Sequence, residues 1–432
     1  MENTMDFFKL KQNNTSVKQE FNAGLTTFLT MVYIVPVNAI IMSKTGMPMD
    51  ALLSATALLT MLATVVNGFW ANTPISMSVG MGLNAYFTFG IVLAGKASWQ
   101  TALGVVFISA FIFFILSFTN FRIWILKSIP MNLRRAISAG IGAFIAFIGL
   151  KQMGFIDSNP ETLVTLGNFG DKNVILGIIG LFFVVAVWAF RIRGGFILAV
   201  ISTSLIAWIF GFNESPSKFF SMPVSVSPLF LELDIVGALK LSLIPVIITF
   251  FITHLFDSLG TLSGVGNRAG IFDNKDGLKK LEKTLQADSG MAVVGSCFGL
   301  STITAFAESA SGVEAGGRTG LTAVFTGLFF ILTLFMLPFF KSIPANAIYP
   351  VLVMVGILMF SELGKINFND QATSVSTFLI VMLMPLTYSI TNGLACGFLA
   401  FIFVKIIKRE FQDLNMGIIT LSVISLIAFL VY

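Results

Sequence analysis

Two carboxylates stand in stretches where lipid would surround an ordinary helix. Asp257 lies in Thr253-His254-Leu255-Phe256-Asp257-Ser258-Leu259-Gly260-Thr261, and Glu308 lies in Thr304-Ala305-Phe306-Ala307-Glu308-Ser309-Ala310-Ser311-Gly312. A carboxylate near a bilayer centre costs at least about 2.5–3.5 kcal/mol on insertion scales, so each needs a partner or a task. One reading is a structural polar network between helices; the other is a polar ligand site with a titratable group. His254, the single histidine, precedes Asp257 by three residues, on roughly the same helix face. An imidazole exchanges protons near neutral pH, although a packed, hydrogen-bonded ring is the equal alternative. Phe306, two residues from Glu308, offers a face for stacking on a flat ring.

The segments that carry these groups are poor lipid-facing helices. Around Glu308 the chain is rich in Ser, Thr, Ala and Gly, and Gly316-Gly317 follows. Small residues allow close packing. They also allow a broken helix whose freed backbone groups face a cavity. The matching place in the first half is 74–89, with Gly80, Gly82 and Asn84. Two irregular segments at corresponding positions mark a midplane site. Glu314 and Arg318, four residues apart near a helix end, read as a local pair or gate contact.

The elements that position them are membrane helices. Of 432 residues, 56% are hydrophobic and 11% charged, against about 25% charged in a soluble domain. The apolar residues form long runs, not the short alternating strands of a barrel. Spans are expected at 22–43, 51–70, 75–94, 100–120, 134–152, 173–190, 194–212, 236–264, 285–300, 303–316, 319–340, 344–362, 372–390 and 392–408. A further apolar run, 415–432, is an added helix or a surface helix. The net charge of +5 sits in short loops, at Arg122, Lys127, Arg134 and Arg135, at Arg191 and Arg193, at Arg268, Lys279, Lys280 and Lys283, and at Lys405, Lys408 and Arg409. That pattern places the N-terminus inside, with Lys44 and Lys341 as exceptions, and argues against nucleic acid as a partner. The first twenty or so residues read as a cytoplasmic lead-in and not a cleavable signal.

An internal repeat is visible. Lys127-Ser128-Ile129-Pro130 with Asn132 recurs as Lys341-Ser342-Ile343-Pro344 with Asn346, and Asn168-Phe169-Gly170-Asp171 recurs loosely as Asn367-Phe368-Asn369-Asp370. Seven spans separate the first pair of copies. An odd number puts them on opposite faces, so the halves form the inverted repeat of secondary transporters.

Other chemistries find no support. Asp257-Ser-Leu-Gly-Thr faintly resembles the phosphorylated motif of P-type pumps, but its lysine is missing, and no G-x-x-x-x-G-K-[ST] loop is present. Cys297 and Cys396 lack metal-site spacing and read as packing thiols. No metal, cofactor or enzyme activity is expected, and transport runs on an ion gradient or downhill.

With these motifs in hand, the chain resembles the AzgA-like guanine/hypoxanthine permeases of the nucleobase–ascorbate transporter superfamily. The resemblance starts at Glu20-Phe21-Asn22-Ala23-Gly24-Leu25-Thr26-Thr27-Phe28 and continues through Gly80-Met81-Gly82-Leu83-Asn84. It is strongest around Asp257 and Glu308 and at Ala315-Gly316-Gly317-Arg318-Thr319-Gly320. It implies an all-α polytopic membrane protein of fourteen spans in two inverted repeats of seven, with short extended stretches in spans 3 and 10. A core domain would comprise spans 1–4 (22–126) and 8–11 (236–341), and a gate domain spans 5–7 (127–212) and 12–14 (342–410). Residues 1–21 would be cytoplasmic, 213–235 an extracellular loop, and 411–432 a segment beyond the pattern. The family's site residues map onto Asp257, Glu308 and Asn84; His254 has no match in the purine branch. A homodimer through the gate domains is implied likewise.

The residue types suit a purine. Carboxylates accept from ring N–H groups, and an asparagine both donates and accepts. The substrate-binding set is then Glu308, Asn84, Phe306 and Asp257, and the proton-coupling set Asp257, Glu308 and His254. The leading reading is proton-coupled import of hypoxanthine, guanine or adenine across the cytoplasmic membrane. Uracil or xanthine transport is the nearest rival. An anion transporter, a channel and a membrane enzyme rank lower, since two midplane carboxylates repel an anion and no nucleophile–base set is present.

Overall fold

The computed structural model describes residues 7–119, 129–269, 271–272, 275–414 and 416–431. Among the described residues, eight helices are long and apolar enough to cross a membrane, and four shorter apolar helices accompany them. This is the mostly helical membrane architecture that the long apolar runs require, because in lipid the backbone must satisfy its own hydrogen bonds.

Span 1 is two helices, Val17–Met31 and Ile34–Ser43. Pro36 explains the interruption: its ring clashes with the carbonyl four residues back, Val32, and it has no N–H to donate. Span 2 is Met49–Trp70. Span 3 begins as strand β1 (Met77–Val79), turns into a short α-helix (Met81–Ala85) and ends as a π-helix (Tyr86–Val92). Span 4 is Trp99–Ser117. Spans 5, 6 and 7 are Met131–Gln152, Lys172–Ala189 and Gly195–Ile209. A hairpin of β2 (Ile156–Asn159) and β3 (Leu163–Leu166) joins the first two.

The second half repeats this order. Span 8 is Ile244–Ala269, preceded by short helical turns at Ile235–Ala238 and Leu241–Leu243, so the expected run from 236 is interrupted. Span 9, Lys275–Cys297, starts ten residues before its apolar part. Span 10 is strand β4 (Ile303–Ala305) followed by helix Ser309–Glu314. Spans 11 to 14 are Gly320–Leu334, Ala345–Phe360, Gln371–Leu386 and Ile390–Ile407. A last helix, Met416–Val431, packs against spans 14 and 8.

Helix neighbours obey the internal symmetry. Span 2 packs on span 11 as span 9 packs on span 4, and span 6 packs on span 12 as span 13 packs on span 5. Spans 5 and 12 cross at glycines: a Cβ on Gly142 would lie 2.6 Å from the Gly356 carbonyl oxygen. Spans 2 and 11 cross likewise, with a Cβ on Gly68 2.6 Å from the Gly320 oxygen. Small residues let backbones approach where no hydrophobic effect drives helix association.

The loose repeat has a physical meaning. Asp171 and Asp370 each cap the following helix, accepting from the Asn173 and Thr373 N–H groups. Asn168 and Asn367 each close a turn on the Gly170 and Asn369 N–H groups. The asparagines of the first repeat motif reach across the halves: Asn346 donates to the Asn173 carbonyl at 2.5 Å, and the Asn367 N–H points at Asn132 Oδ1 at 3.5 Å. Lys127 and Ser128 of that motif, with Arg122, lie outside the described residues. The two lysines that break the loop-charge pattern have partners: Lys341 pairs with Asp50 at 2.9 Å, and Lys44 donates to Gln152 at 2.6 Å.

Candidate functional site

The two broken spans meet. β1 and β4 pair antiparallel, Met77 opposite Ala305, Ser78 opposite Thr304 and Val79 opposite Ile303. The pairing extends one step each way, with Gly80 N–H donating to Thr302 O at 2.8 Å and Phe306 N–H donating to Ser76 O at 2.9 Å. Each strand therefore satisfies the backbone groups that the break in the other would leave open.

Flanking spans hold the ladder from both sides. On one side, Thr60, Thr64 and Asn67 lie along one face of span 2. Thr64 Oγ1 accepts from the Met77 N–H at 3.0 Å, Asn67 Nδ2 donates to Ile75 O at 2.7 Å, and Thr60 bonds Ser78 at 2.7 Å. On the other, Asp288 of span 9 accepts from the Ala305 N–H at 2.7 Å and from Ser258 Oγ at 2.6 Å. Ser258 also bonds Thr304 at 2.9 Å. Asp288 is wholly buried. A carboxylate so placed is tolerable because hydrogen-bond donors surround it.

Glu308 and Asp257 lie deep in the protein, yet each keeps part of its surface accessible. Glu308 follows β4 at the N-terminus of the span 10 helix. Tyr33, at the break in span 1, donates to Glu308 Oε1 at 2.5 Å. Asp257 sits beside the end of β1: a Cβ on Gly80 would be 3.7 Å from Asp257 Oδ2 and 3.1 Å from Thr304 Cγ2. Any side chain larger than hydrogen at position 80 would crowd this junction. Phe306 is buried, 5% exposed. Asp257 and Gly80 thus stand at the Val79–Ile303 end of the ladder, and Phe306 and Glu308 follow its Met77–Ala305 end.

Two expected site residues look elsewhere. Asn84 is fully buried; its Nδ2 donates to Asn38 at 2.5 Å, and its Oδ1 accepts from Ser301. Asn38 in turn donates to Thr56 at 2.7 Å, so the group ties spans 1, 2, 3 and 10 together. His254 turns toward span 9, where its Nε2 lies 2.9 Å from Asp288 Oδ2, out of line for a hydrogen bond. Phe113 meets the imidazole edge-on at 4.8 Å. Arg318 caps the span 10 helix, donating to the Val313 and Gly317 carbonyls at 2.7 and 2.8 Å.

Sequence reasoning passed over Asp288, Tyr33 and Glu20. Glu20, wholly buried, accepts from the N–H groups of Arg318, Thr319 and Thr322 and from the Thr322 hydroxyl. Both acids lie at the polar margins of their apolar runs, where a charge looks solvated. Asp288 already falls inside the expected span 285–300, so the rule that an intramembrane acid needs a partner, applied to it, would have found it.

Paired broken helices crossing by extended segments, within halves that repeat with opposite topology, are the architecture of the seven-plus-seven inverted-repeat transporter fold. The fold is that of the transmembrane domain of a cyanobacterial bicarbonate transporter, BicA, with a TM-score of 0.66 at 14% identity, covering 87% of this chain and 96% of that one. In sequence the chain is 40% identical to the adenine permease AdeP of Escherichia coli, over 96% of this chain and 94% of the relative. It is 37% identical to the guanine/hypoxanthine permease PbuO of Bacillus subtilis, over 96% and 98%. A model of the Permease family, the xanthine/uracil permeases, matches residues 18–396, and the chain belongs to this nucleobase–ascorbate transporter family. It is a multi-pass membrane permease and not an enzyme.

Proposed function

We propose that the protein imports a purine nucleobase, hypoxanthine, guanine or adenine, across the cytoplasmic membrane together with a proton. The carrying observation is a partly accessible carboxylate, Glu308, set at the end of β4 with one oxygen already held by Tyr33. Such a group accepts from a flat ligand's N–H groups, and Phe306 precedes it by two residues. A neutral base brings donors that match acceptors and has no charge for the acids to repel. Full-length similarity to adenine and guanine/hypoxanthine permeases supports the substrate class.

Glu308 then binds the base, and Asp257, beside the β1 end, carries the proton. His254, turned toward Asp288, acts on this set from behind. Asn84 shapes the pocket through Asn38 and Ser301. Spans 1–4 and 8–11 form the core that carries the site, spans 5–7 and 12–14 form the gate, and a homodimer through the gate is the assembly we favour. The N-terminus lies inside.

The test is equilibrium binding of purified protein to a panel of hypoxanthine, guanine, adenine, xanthine and uracil. Micromolar binding of at least one of the first three, lost in Glu308→Gln, is expected. Preferential binding of uracil or xanthine would replace the purine assignment with that alternative.

A further inference from the structure

Tyr33 stands at the junction between the two helices of span 1. It follows the last turn of Val17–Met31 and precedes Ile34–Ser43. Its side chain is wholly buried, whereas Glu308, to which its hydroxyl donates, is partly accessible. The phenol therefore approaches the carboxylate from the protein side and holds one of its two oxygens. A second contact lies on the same face of span 1: Thr30 and Ser311 hydroxyls are 2.9 Å apart. At the far end Glu20 holds the start of span 11. The first half of span 1 is a splint along the broken span 10, and Tyr33 is its contact nearest the reacting carboxylate.

The same ring faces span 7. Phe196 meets it edge-on, with centroids 5.6 Å apart and planes at 80°. One turn earlier in span 1, a Cβ on Gly194 would sit 3.1 Å from the Leu29 carbonyl oxygen. Tyr33 thus touches the substrate carboxylate with its hydroxyl and a helix of the other helix group with its ring edge.

We infer that Tyr33 is a positioning residue that holds Glu308 in its substrate-accepting orientation and ties that orientation to one position of span 7. The inference rests on the reading of Glu308 as the purine acceptor. Loss of the hydroxyl frees the carboxylate to rotate, and movement of span 7 that carries Phe196 away from Tyr33 loosens the ring that bears the hydroxyl. Pro36 sets the break that places Tyr33 there.

The experiment compares Tyr33→Phe, Phe196→Leu and Pro36→Ala with the unmodified protein in detergent and in proteoliposomes. The infrared carboxylate band that disappears in Glu308→Gln should shift in Tyr33→Phe, a readout that needs no ligand. Purine affinity should fall about tenfold in Tyr33→Phe, the change to which ~1.4 kcal/mol corresponds. Phe196→Leu should keep purine affinity and lower the maximal uptake rate. Pro36→Ala keeps the phenol but moves it, so it should reproduce the affinity loss if Tyr33→Phe fails to accumulate. An unshifted band, or unmodified affinity in both Tyr33→Phe and Pro36→Ala, would overturn the positioning role, and full uptake by Phe196→Leu would overturn the tie to span 7. Should the unmodified protein bind no purine, the substrate reading fails while the band still decides on Tyr33.

Discussion

At the residue scale, three acids do different work because their surroundings differ. Asp288 is enclosed by donors from Ala305 and Ser258, and it fixes β4. Glu308 and Asp257 retain accessible surface. Glu308→Gln keeps the shape but exchanges an acceptor for a donor, so purine binding should fall sharply at every pH in a titration. Asp257→Asn mimics the protonated acid; exchange of labelled for unlabelled purine should persist while accumulation driven by a pH gradient fails. Accumulation with unchanged pH dependence in Asp257→Asn would pass the coupling role to His254. Asn84→Ala, by contrast, opens a buried network: Asn38 loses an acceptance and Ser301 a donation target. Each buried polar group left unpaired costs about 1–3 kcal/mol, so Asn84→Ala should lower the melting temperature as well as weaken purine binding. Weaker binding at an unchanged melting temperature would instead place the Asn84 amide directly on the ligand.

At the element scale, the helix caps of the two repeats allow a comparison within one molecule. Among the described residues, Asp171 only caps its helix, through the Asn173 N–H. Asp370 caps through Thr373 and also meets Lys405, a nearly buried lysine, at 3.1 Å. Burial pushes the Asp370 carboxyl up, but hydrogen bonds from Thr373 and Lys405 outweigh it and hold it below its ordinary range. A depressed carboxyl stabilises the fold above its ordinary range, and that contribution is lost as pH falls through the depressed value. Asp171→Ala should cost about 1 kcal/mol, the worth of a cap. Asp370→Ala should cost more, and its excess should shrink on acidification in thermal unfolding scans. Equal costs at neutral pH would show that Lys405 adds nothing to the Asp370 cap.

The same elements show what the residues reveal and what they conceal. Apolar runs place the spans because bilayer thickness dictates their length. The Ser-, Gly- and Ala-rich stretches disclose two broken helices because such residues cannot make a good lipid face. The pairing of β1 with β4 is different: it joins residues more than two hundred positions apart, and no local pattern encodes a partner. Tyr33 was hidden for the same reason, since Glu308 is 275 positions away. The spacing of His254 from Asp257 gives a shared helix face but says nothing of the neighbouring span 9 that supplies Asp288.

At the scale of the whole molecule, glycine crossings between spans 5 and 12 and between spans 2 and 11 fix how the halves interlock. Gly142→Leu would force the Gly356 backbone away and should abolish a monodisperse, folded product on size-exclusion chromatography, whereas Gly364→Leu, with open space around it, should not. The inverted repeat also sets topology. A cysteine at Lys280 should label only from the cytoplasm and one at Ser158 only from outside; labelling of both from one side would contradict the arrangement. The function proposed for this fold is inward carriage of a purine together with a proton. Its most direct test is uptake of radiolabelled hypoxanthine, guanine and adenine into proteoliposomes, with and without an inward proton gradient. Concentration of at least one purine above equilibrium only when the gradient is present is the predicted result. Uptake that merely equilibrates and ignores the gradient, or no purine uptake at all, would contradict it.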